Sequence, residues 1–464
     1  MFEGKLSVVG LGKLGAVMAA VMADKGFSVV GVDLNPATVQ AVNDGLAPVQ
    51  EPLLDDYIRR NRSRLTATTD IEAAVRETDA TFIIVPTPSG PEGTFLVDYV
   101  LNACRGIARA LRAKNTYHLV IVSSTVMPGQ TGGSVLPLLE ELSGKRCGVE
   151  FGLCYNPEFI ALGSVVRDML KPDMLLIGES DSKAGDLLES IYRRVCETNP
   201  PAARMNFVNA ELSKLSVNTY VTTKISYANM LAAVCEQLPG ADVDVVTSAI
   251  GLDSRIGVKY LKGALSYGGP CFPRDNIAFS ALARKLGAEA TLAEATHATN
   301  RRHTERLGEL VVDLLDGAGS VAILGLSYKP GTAVVEESAG VALATYLAER
   351  SVPVTVYDPQ AIPNARAELG DSVVYAGSVP AAIDGASVVL VLTAWDEFRA
   401  LRPADFERPN GRVILVDCWR LFKDKGFDDV CTYLILGSGS SRTRTRRTAN
   451  AVSAHAGSLE HARG

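Results

Sequence analysis

The sequence predicts an α/β fold: two doubly wound parallel sheets joined by a helical core. Three observations predict it. Short β-branched runs alternate with helical patterns at the start of the chain. The same alternation returns after about residue 316, and the stretch between is helical. The length of 464 residues suits about three domains. Their expected bounds are 1–200, 201–315 and 316–436, followed by a tail at 437–464.

In the first block the strands are KLSVVG (5–10), FSVVGVD (27–33), ATFIIVP (80–86), YHLVIVSST (117–125) and MLLIG (174–178). They are nearly all apolar, as strands buried on both faces of a parallel sheet are. Helical patterns at 15–25, 36–44 and 97–113 separate them. In the second block, ELSKLSVNTYVTTKISYANMLAAVCEQL (211–238) carries apolar residues at helical spacing without Pro or Gly. Further helices are expected at 240–250, 276–286 and 290–315. A long helix must bury its apolar stripe, so a homodimer or higher homo-oligomer is expected.

The third block has strands at SVAILGL (320–326), VPVTVYD (352–358), SVVLVLT (387–393) and RVILVD (412–417). The tail is rich in Ser, Gly, Thr and Arg and is expected to be disordered. With five Arg and one Glu it is +4, which leaves −10 for the rest of a chain of net charge −6. A body that acidic is a poor nucleic-acid binder. No apolar run approaches the roughly 18 residues a membrane helix needs, and the N-terminus has no signal-peptide pattern, so a cytoplasmic location is expected. The eight Cys are scattered singly and the five His are unpaired, which argues against disulfides and a metal site.

Gly10-Leu11-Gly12-Lys13-Leu14-Gly15 follows the first strand and opens a helix. Gly10 allows a tight turn, Gly12 lets backbone approach a diphosphate, and Gly15 lets helix pack on strand. The helix start supplies amides and partial positive charge. Asp33 ends the second strand, placed for ribose hydroxyls and against a 2′-phosphate, so NAD is the expected cofactor. The first block is thus Rossmann-like. The third block opens its crossover with GLSYKPG instead, which points to a different ligand.

Tyr267-Gly268-Gly269-Pro270-Cys271-Phe272-Pro273-Arg274-Asp275 sets one Cys in a rigid turn. Cys271 reads either as a structural thiol or as a nucleophile beside a cation that favours its thiolate. A Cys nucleophile beside NAD suggests aldehyde chemistry.

At this point ordered motifs carry a resemblance. GLGKLG, VPTPSGPEGTFLVD (85–98), SSTVMPGQT (123–131), NPEF (156–159), ELSKLSVN (211–218), GLDSRIG (251–257), KYLKG (259–263), YGGPCFPRD, GLSYKPGT (325–332) and TAWDEF (393–398) follow one another. From about residue 5 to 430 the chain resembles the nucleotide-sugar dehydrogenases, the UDP-glucose/GDP-mannose dehydrogenase family. The resemblance implies two Rossmann-like domains, for NAD and for a UDP-sugar, around a helical dimerisation core. It implies oxidation of a sugar C6 alcohol to a carboxylate with two NAD. Cys271 would be the nucleophile of the second oxidation, through a thiohemiacetal and a thioester.

Lys214 and Asn218, four apart on one helix, would hold the C6 oxygen. Asp275 resembles the carboxylate that assists proton transfer, a role compatible with capping the following helix. Thr125 matches a Thr that positions water, and Glu158 either acts as acid/base or caps its turn. The cofactor would be met by Gly10, Gly12, Leu14, Gly15, Asp33, Thr87, Thr125 and Arg274. The substrate would be met by Glu158, Lys214, Asn218, Tyr260, Leu261, Lys262, Gly268, Tyr328 and Lys329. Arg255 would reach a neighbouring subunit's sugar site, and Arg420 loosely matches a UDP contact.

The chain departs from the family pattern at three places. Leu162 stands where many relatives have a second Glu, Glu336 where many have an Arg near NAD, and Pro270 where a Ser is common. RIGVKYLKGALSYGGPCFPRD (255–275) looks more like the UDP-glucose branch than the acetamido-sugar branch. UDP-N-acetylhexosamine or GDP-mannose as substrate, or a non-catalytic nucleotide-sugar-binding relative, are the alternatives.

Overall fold

The computed structural model describes residues 2–409 and 412–439. The chain divides into two compact units, Met1–Asn218 with Arg274–Ala290, and Thr219–Pro273 with Thr291–Gly464. Both units draw on the helical middle stretch at 201–315.

The first unit is built on β1 (Leu6–Val9), β2 (Val29–Val32), β3 (Leu65–Thr68), β4 (Ala80–Ile83), β5 (His118–Val122), β6 (Phe151–Tyr155), β7 (Leu175–Glu179) and β8 (Ala202–Met205). They form one sheet in the order β3-β2-β1-β4-β5-β6-β7-β8. Every adjacent pair is parallel except β6 and β7, where Cys154 faces Glu179. Leu6, Val8, Phe82, Ile83 and all of β5 are fully enclosed, which is why these strands read as nearly all apolar. The first helix, Gly15–Asp24, is buried at nearly every position, so its sequence GAVMAAVMAD shows no polar face.

The second unit carries β9 (Val321–Leu324), β10 (Val354–Tyr357), β11 (Val374–Tyr375), β12 (Val388–Val391), β13 (Ile414–Asp417) and β14 (Thr432–Ile435). Its sheet is parallel throughout, ordered β11-β10-β9-β12-β13-β14. Both sheets reverse strand order beside their first strand, and ligands of doubly wound sheets bind at such switch points.

The long helix runs Phe207–Gln237. It starts four residues before the apolar pattern because Asn206 caps it, accepting the Asn209 N–H at 3.0 Å. It ends ahead of Pro239-Gly240. Further helices span Val243–Gly251, Phe272–Lys285 and Thr291–Leu315. Order extends past 436: Gly437 and Gly439 pair with Val243, Gly240 and Ala241 at 2.9–3.0 Å. That corrects the expected start of the disordered tail. Residues 440–464, on which the rest of that expectation falls, lie outside the described residues. Among the described residues no helix is long and apolar enough to cross a membrane, and no His/Cys/Asp/Glu group could hold a metal.

Candidate functional site

The glycine loop meets the steric demands of a bound dinucleotide. Gly10 has φ +95°, and a Cβ there would lie 2.5 Å from the Ile84 carbonyl oxygen. A Cβ on Gly15 would sit 1.8 Å from the Gly10 carbonyl oxygen, so only Gly lets the first helix approach the strand end. Gly12 has nothing within 4 Å; this is the open side a diphosphate needs. Leu14 is the residue before the helix. The Asp33 carboxylate accepts the Leu11 N–H at 2.8 Å and the Asn35 N–H at 2.9 Å. Those two bonds fix it beside the loop, and the remaining lone pairs suit ribose hydroxyls. These residues fit NAD, which supplies a hydride acceptor when bound. A 2′-phosphate beside Asp33 would set like charges together, at several kcal/mol. We expect kcat/KM for NAD to exceed that for NADP by about 100-fold or more, with Asp33→Ser narrowing the ratio; steady-state kinetics with both cofactors checks it.

The ends of β4, β5 and β6 bring the next residues to the same sheet edge. The Thr87 hydroxyl donates to the Thr125 carbonyl at 2.7 Å. Arg274 donates to the Thr87 carbonyl at 3.4 Å, lies over the Phe95 ring at 4.5 Å, and pairs with Asp275 at 3.3 Å. Asp275 is 1% exposed, and its other oxygen accepts the Asn218 side-chain N–H at 2.6 Å. One turn earlier on the long helix, Lys214 donates to the Glu158 carbonyl at 2.6 Å and stacks over Phe159 at 4.5 Å. A small apolar cluster of Phe95, Met127, Leu215 and Ala278 ties these loops to the two helices. Thr87, Thr125, Glu158, Lys214, Asn218, Arg274 and Asp275 thus lie in the first unit. Leu162 packs against the core of that unit.

The remaining residues belong to the second unit. Cys271 immediately precedes the helix Phe272–Lys285, one turn from Asp275 along the chain. Of the eight cysteines it alone is exposed. Burial pushes the Cys104 thiol up to about 12 and the Cys196 and Cys431 thiols up to about 11, which leaves those sulfurs unreactive. The Cys271 turn is docked on the loop after β9. The Gly269 N–H donates to the Glu336 carbonyl at 2.9 Å, and a Cβ on Gly268 would meet the Glu337 carbonyl oxygen at 2.1 Å. Gly269, at φ +83°, lies against the Tyr328 ring, and Lys329 lies 5.7 Å above the same ring.

Tyr260 takes a left-handed conformation at φ +64° and meets Phe272 edge-on at 6.3 Å. Such strain costs about 1–3 kcal/mol and gathers at ligand clamps. Leu261 is buried and Lys262 is exposed. The Arg255 side chain is 86% exposed and pairs with Asp253. Arg420 differs from its expectation: its side chain is 2% exposed, ion-paired with Asp244 at 2.6 Å and donating to the Leu436 carbonyl at 3.1 Å. Its donors hold the fold of the second unit together.

Three residues of the first unit's site escaped the sequence reading. Glu211, fully buried, accepts the Gly129 and Thr131 N–H groups at 2.6 and 2.8 Å; it anchors the turn that follows Thr125. Tyr192 and Asn156 lie behind Glu158, with the Tyr192 oxygen 2.8 Å from a Glu158 oxygen. A Tyr rather than a Phe at a core position of the helix Ser182–Val195 was the available signal, because a buried phenol needs a partner.

Residues 4–196 match the NAD binding domain of the UDP-glucose/GDP-mannose dehydrogenase family, 208–302 its central domain and 322–424 its UDP binding domain. The chain is 38% identical over 415 residues to the UDP-glucose 6-dehydrogenase AglM of Haloferax volcanii, across 89% of this chain and 96% of that one. It is 35% identical over 358 residues to a GDP-mannose 6-dehydrogenase of Pseudomonas syringae, across 76% and 80%. Among solved structures it is similar to a UDP-glucose dehydrogenase from Pyrobaculum islandicum, with TM-score 0.85 and 36% identity over 95% of this chain and 98% of that one. With the three domains of one family matched in order, behind a phosphate loop shaped to hold NAD, this chain belongs to the UDP-glucose/GDP-mannose dehydrogenase family and is an NAD-dependent nucleotide-sugar dehydrogenase.

Proposed function

We propose that the protein oxidises UDP-glucose to UDP-glucuronate, the reaction of a UDP-glucose 6-dehydrogenase. The observation that carries the choice of sugar is the 38% identity to a UDP-glucose enzyme, sustained over nearly all of that relative. GDP-mannose is the second reading, favoured by the 35% identity to an enzyme acting on it.

Bound NAD would supply the hydride acceptor for each of two oxidations. In the first, the C6 alcohol loses a proton and a hydride and becomes an aldehyde. Lys214 and Asn218 hold the oxygen on which negative charge grows. The Cys271 thiolate then adds to the aldehyde carbon. Loss of a second hydride leaves a thioester, which water cleaves to carboxylate and thiol. Thr125 and Asp275 position that water and take its proton. Tyr260, Leu261, Lys262, Gly268, Tyr328 and Lys329 embrace the UDP-sugar, and Arg255 reaches the site of a second subunit. A reducing compartment, the cytoplasm, keeps the exposed Cys271 thiol usable. NADH release from the purified protein with UDP-glucose, UDP-N-acetylhexosamines and GDP-mannose is the test. Two NADH per UDP-glucose are expected, and faster turnover of another sugar nucleotide would overturn the assignment.

We further propose a homodimer built on the long helix. Tyr227, Met230 and Val234 recur at helical spacing along its second half, Leu238 continues the stripe just past its end, and all four are 47–53% exposed. A stripe of that kind is covered by another apolar surface. Val234→Glu should shift sedimentation from dimer to monomer; an unchanged assembly would place the interface elsewhere.

A further inference from the structure

The proton count around Glu158 fixes the state of its side chain. Asn156 donates its side-chain N–H to the Leu176 carbonyl at 2.9 Å. That bond sets the amide's orientation: turned over, it would press oxygen against oxygen. The Asn156 side-chain oxygen therefore faces Tyr192, 2.6 Å away. It can only accept, and the Tyr192 hydroxyl supplies its hydrogen. Asn156 is 2% exposed and Tyr192 3%, so no water can stand in for that donor. The Tyr192 oxygen, its single proton spent, still lies 2.8 Å from Glu158.

A carboxylate at that distance would place lone pair against lone pair. Turning the Tyr192 proton to the carboxylate would orphan the buried Asn156 oxygen. One arrangement satisfies every contact, and it needs a hydrogen on Glu158. We propose that Tyr192, set by Asn156, is a positioning residue that holds Glu158 as a neutral carboxylic acid whose proton is donated to the Tyr192 oxygen. The relay runs from Glu158 O–H to Tyr192, from Tyr192 O–H to Asn156, and from the Asn156 N–H to the Leu176 carbonyl at the sheet.

The charged and titratable groups facing Glu158 are few. Lys214, on the long helix, favours the carboxylate. Tyr192 and Cys196 come from the helix Ser182–Val195 and its end, and both are themselves pushed up, first by burial. Burial pushes the Glu158 carboxyl up as well, outweighing the Tyr192 contact and Lys214, both of which pull it down. A neutral Glu158 beside Lys214 can give a proton or a hydrogen bond to a substrate oxygen. It cannot take the proton of the C6 alcohol. Leu162, in the place of a second carboxylate, offers no alternative, which leaves Asp275 as the nearby base.

The inference holds whichever nucleotide sugar is the substrate, and its experiment needs none. Infrared difference spectra of wild type against Glu158→Gln at neutral pH should show a protonated-carboxyl C=O band that the variant lacks. Its loss on raising the pH gives the Glu158 pKa. In Tyr192→Phe the neutral acid loses its acceptor, so that pKa should fall by about one pH unit. If the hydroxyl instead donated to a carboxylate, the same variant would raise it. A rise or no change in Tyr192→Phe, or no acid band from Glu158 in the wild type, overturns the proposal.

Discussion

Cys271→Ser is expected to lower net formation of the sugar acid by about 10³-fold or more while leaving affinity for NAD and UDP-sugar within a few-fold. The reason lies in the second oxidation. A serine hydroxyl is almost wholly protonated at neutral pH, and its adduct would lead to an ester that water cleaves more slowly than a thioester. The first oxidation does not need the thiol. One NADH per active site should therefore appear in a rapid phase, followed by a stall. The thiol is also the one of eight that is exposed, so the variant should lose the fast-reacting sulfhydryl seen by a thiol reagent in the native protein. Stopped-flow NADH absorbance, calorimetric binding and thiol titration together check this. Steady turnover at the wild-type rate would remove the covalent mechanism and leave aldehyde hydration as the route to the acid.

The fold was legible wherever burial is complete on both sides of a strand. β9 and β12 are unbroken apolar runs, and β1, β4 and β5 nearly so, because the buried Ser7, Thr81 and His118 are tolerated only by bonding to one another, at 2.7 and 2.8 Å. β3, β8 and β11 lie at sheet edges, with partly exposed residues such as Thr66 and Val374, and carry no such run. β6 is fully buried but reads FGLCY, whose Gly and Cys blur the pattern. Gly152 is required there, because a Cβ would lie 2.3 Å from the Tyr117 hydroxyl. In the site, Gly10, Gly12, Gly15 and Asp33 were readable because their chemistry is local in sequence. Lys214 to Glu158 and Asn218 to Asp275 are long-range meetings. The composition of the helices does not encode them, and ordered family motifs alone pointed there. Arg420 shows the opposite limit: from sequence a late Arg looks like a phosphate contact, whereas Asp244, 176 residues away, takes its guanidinium. Tyr192 lies in no such motif, and a helix face does not reveal which hydroxyl has a partner.

Lys214→Ala is expected to slow the chemistry far more than it weakens substrate binding. In the ground state the C6 oxygen is a neutral alcohol, and an ammonium beside it gains little. As the hydroxyl proton leaves, and again in the tetrahedral adduct on Cys271, that oxygen becomes anionic. Lys214 is 7% exposed and held by the Glu158 carbonyl at 2.6 Å, so it meets the growing charge with little water between and little rearrangement. Removing one such donor typically costs about 10²–10³ in kcat, or roughly 3–4 kcal/mol. The neutral state proposed for Glu158 bears directly on the size of this effect. A carboxylate there would cancel much of the ammonium's field, while a carboxylic acid leaves it to act on the substrate. Asn218 should show a smaller loss of the same kind on conversion to Ala. It is a neutral amide, and one of its N–H groups is already given to Asp275 at 2.6 Å. Steady-state NADH production paired with calorimetric UDP-glucose binding separates the two contributions. A hundredfold weaker complex with kcat preserved would make Lys214 a ground-state contact and move the oxyanion role to another donor.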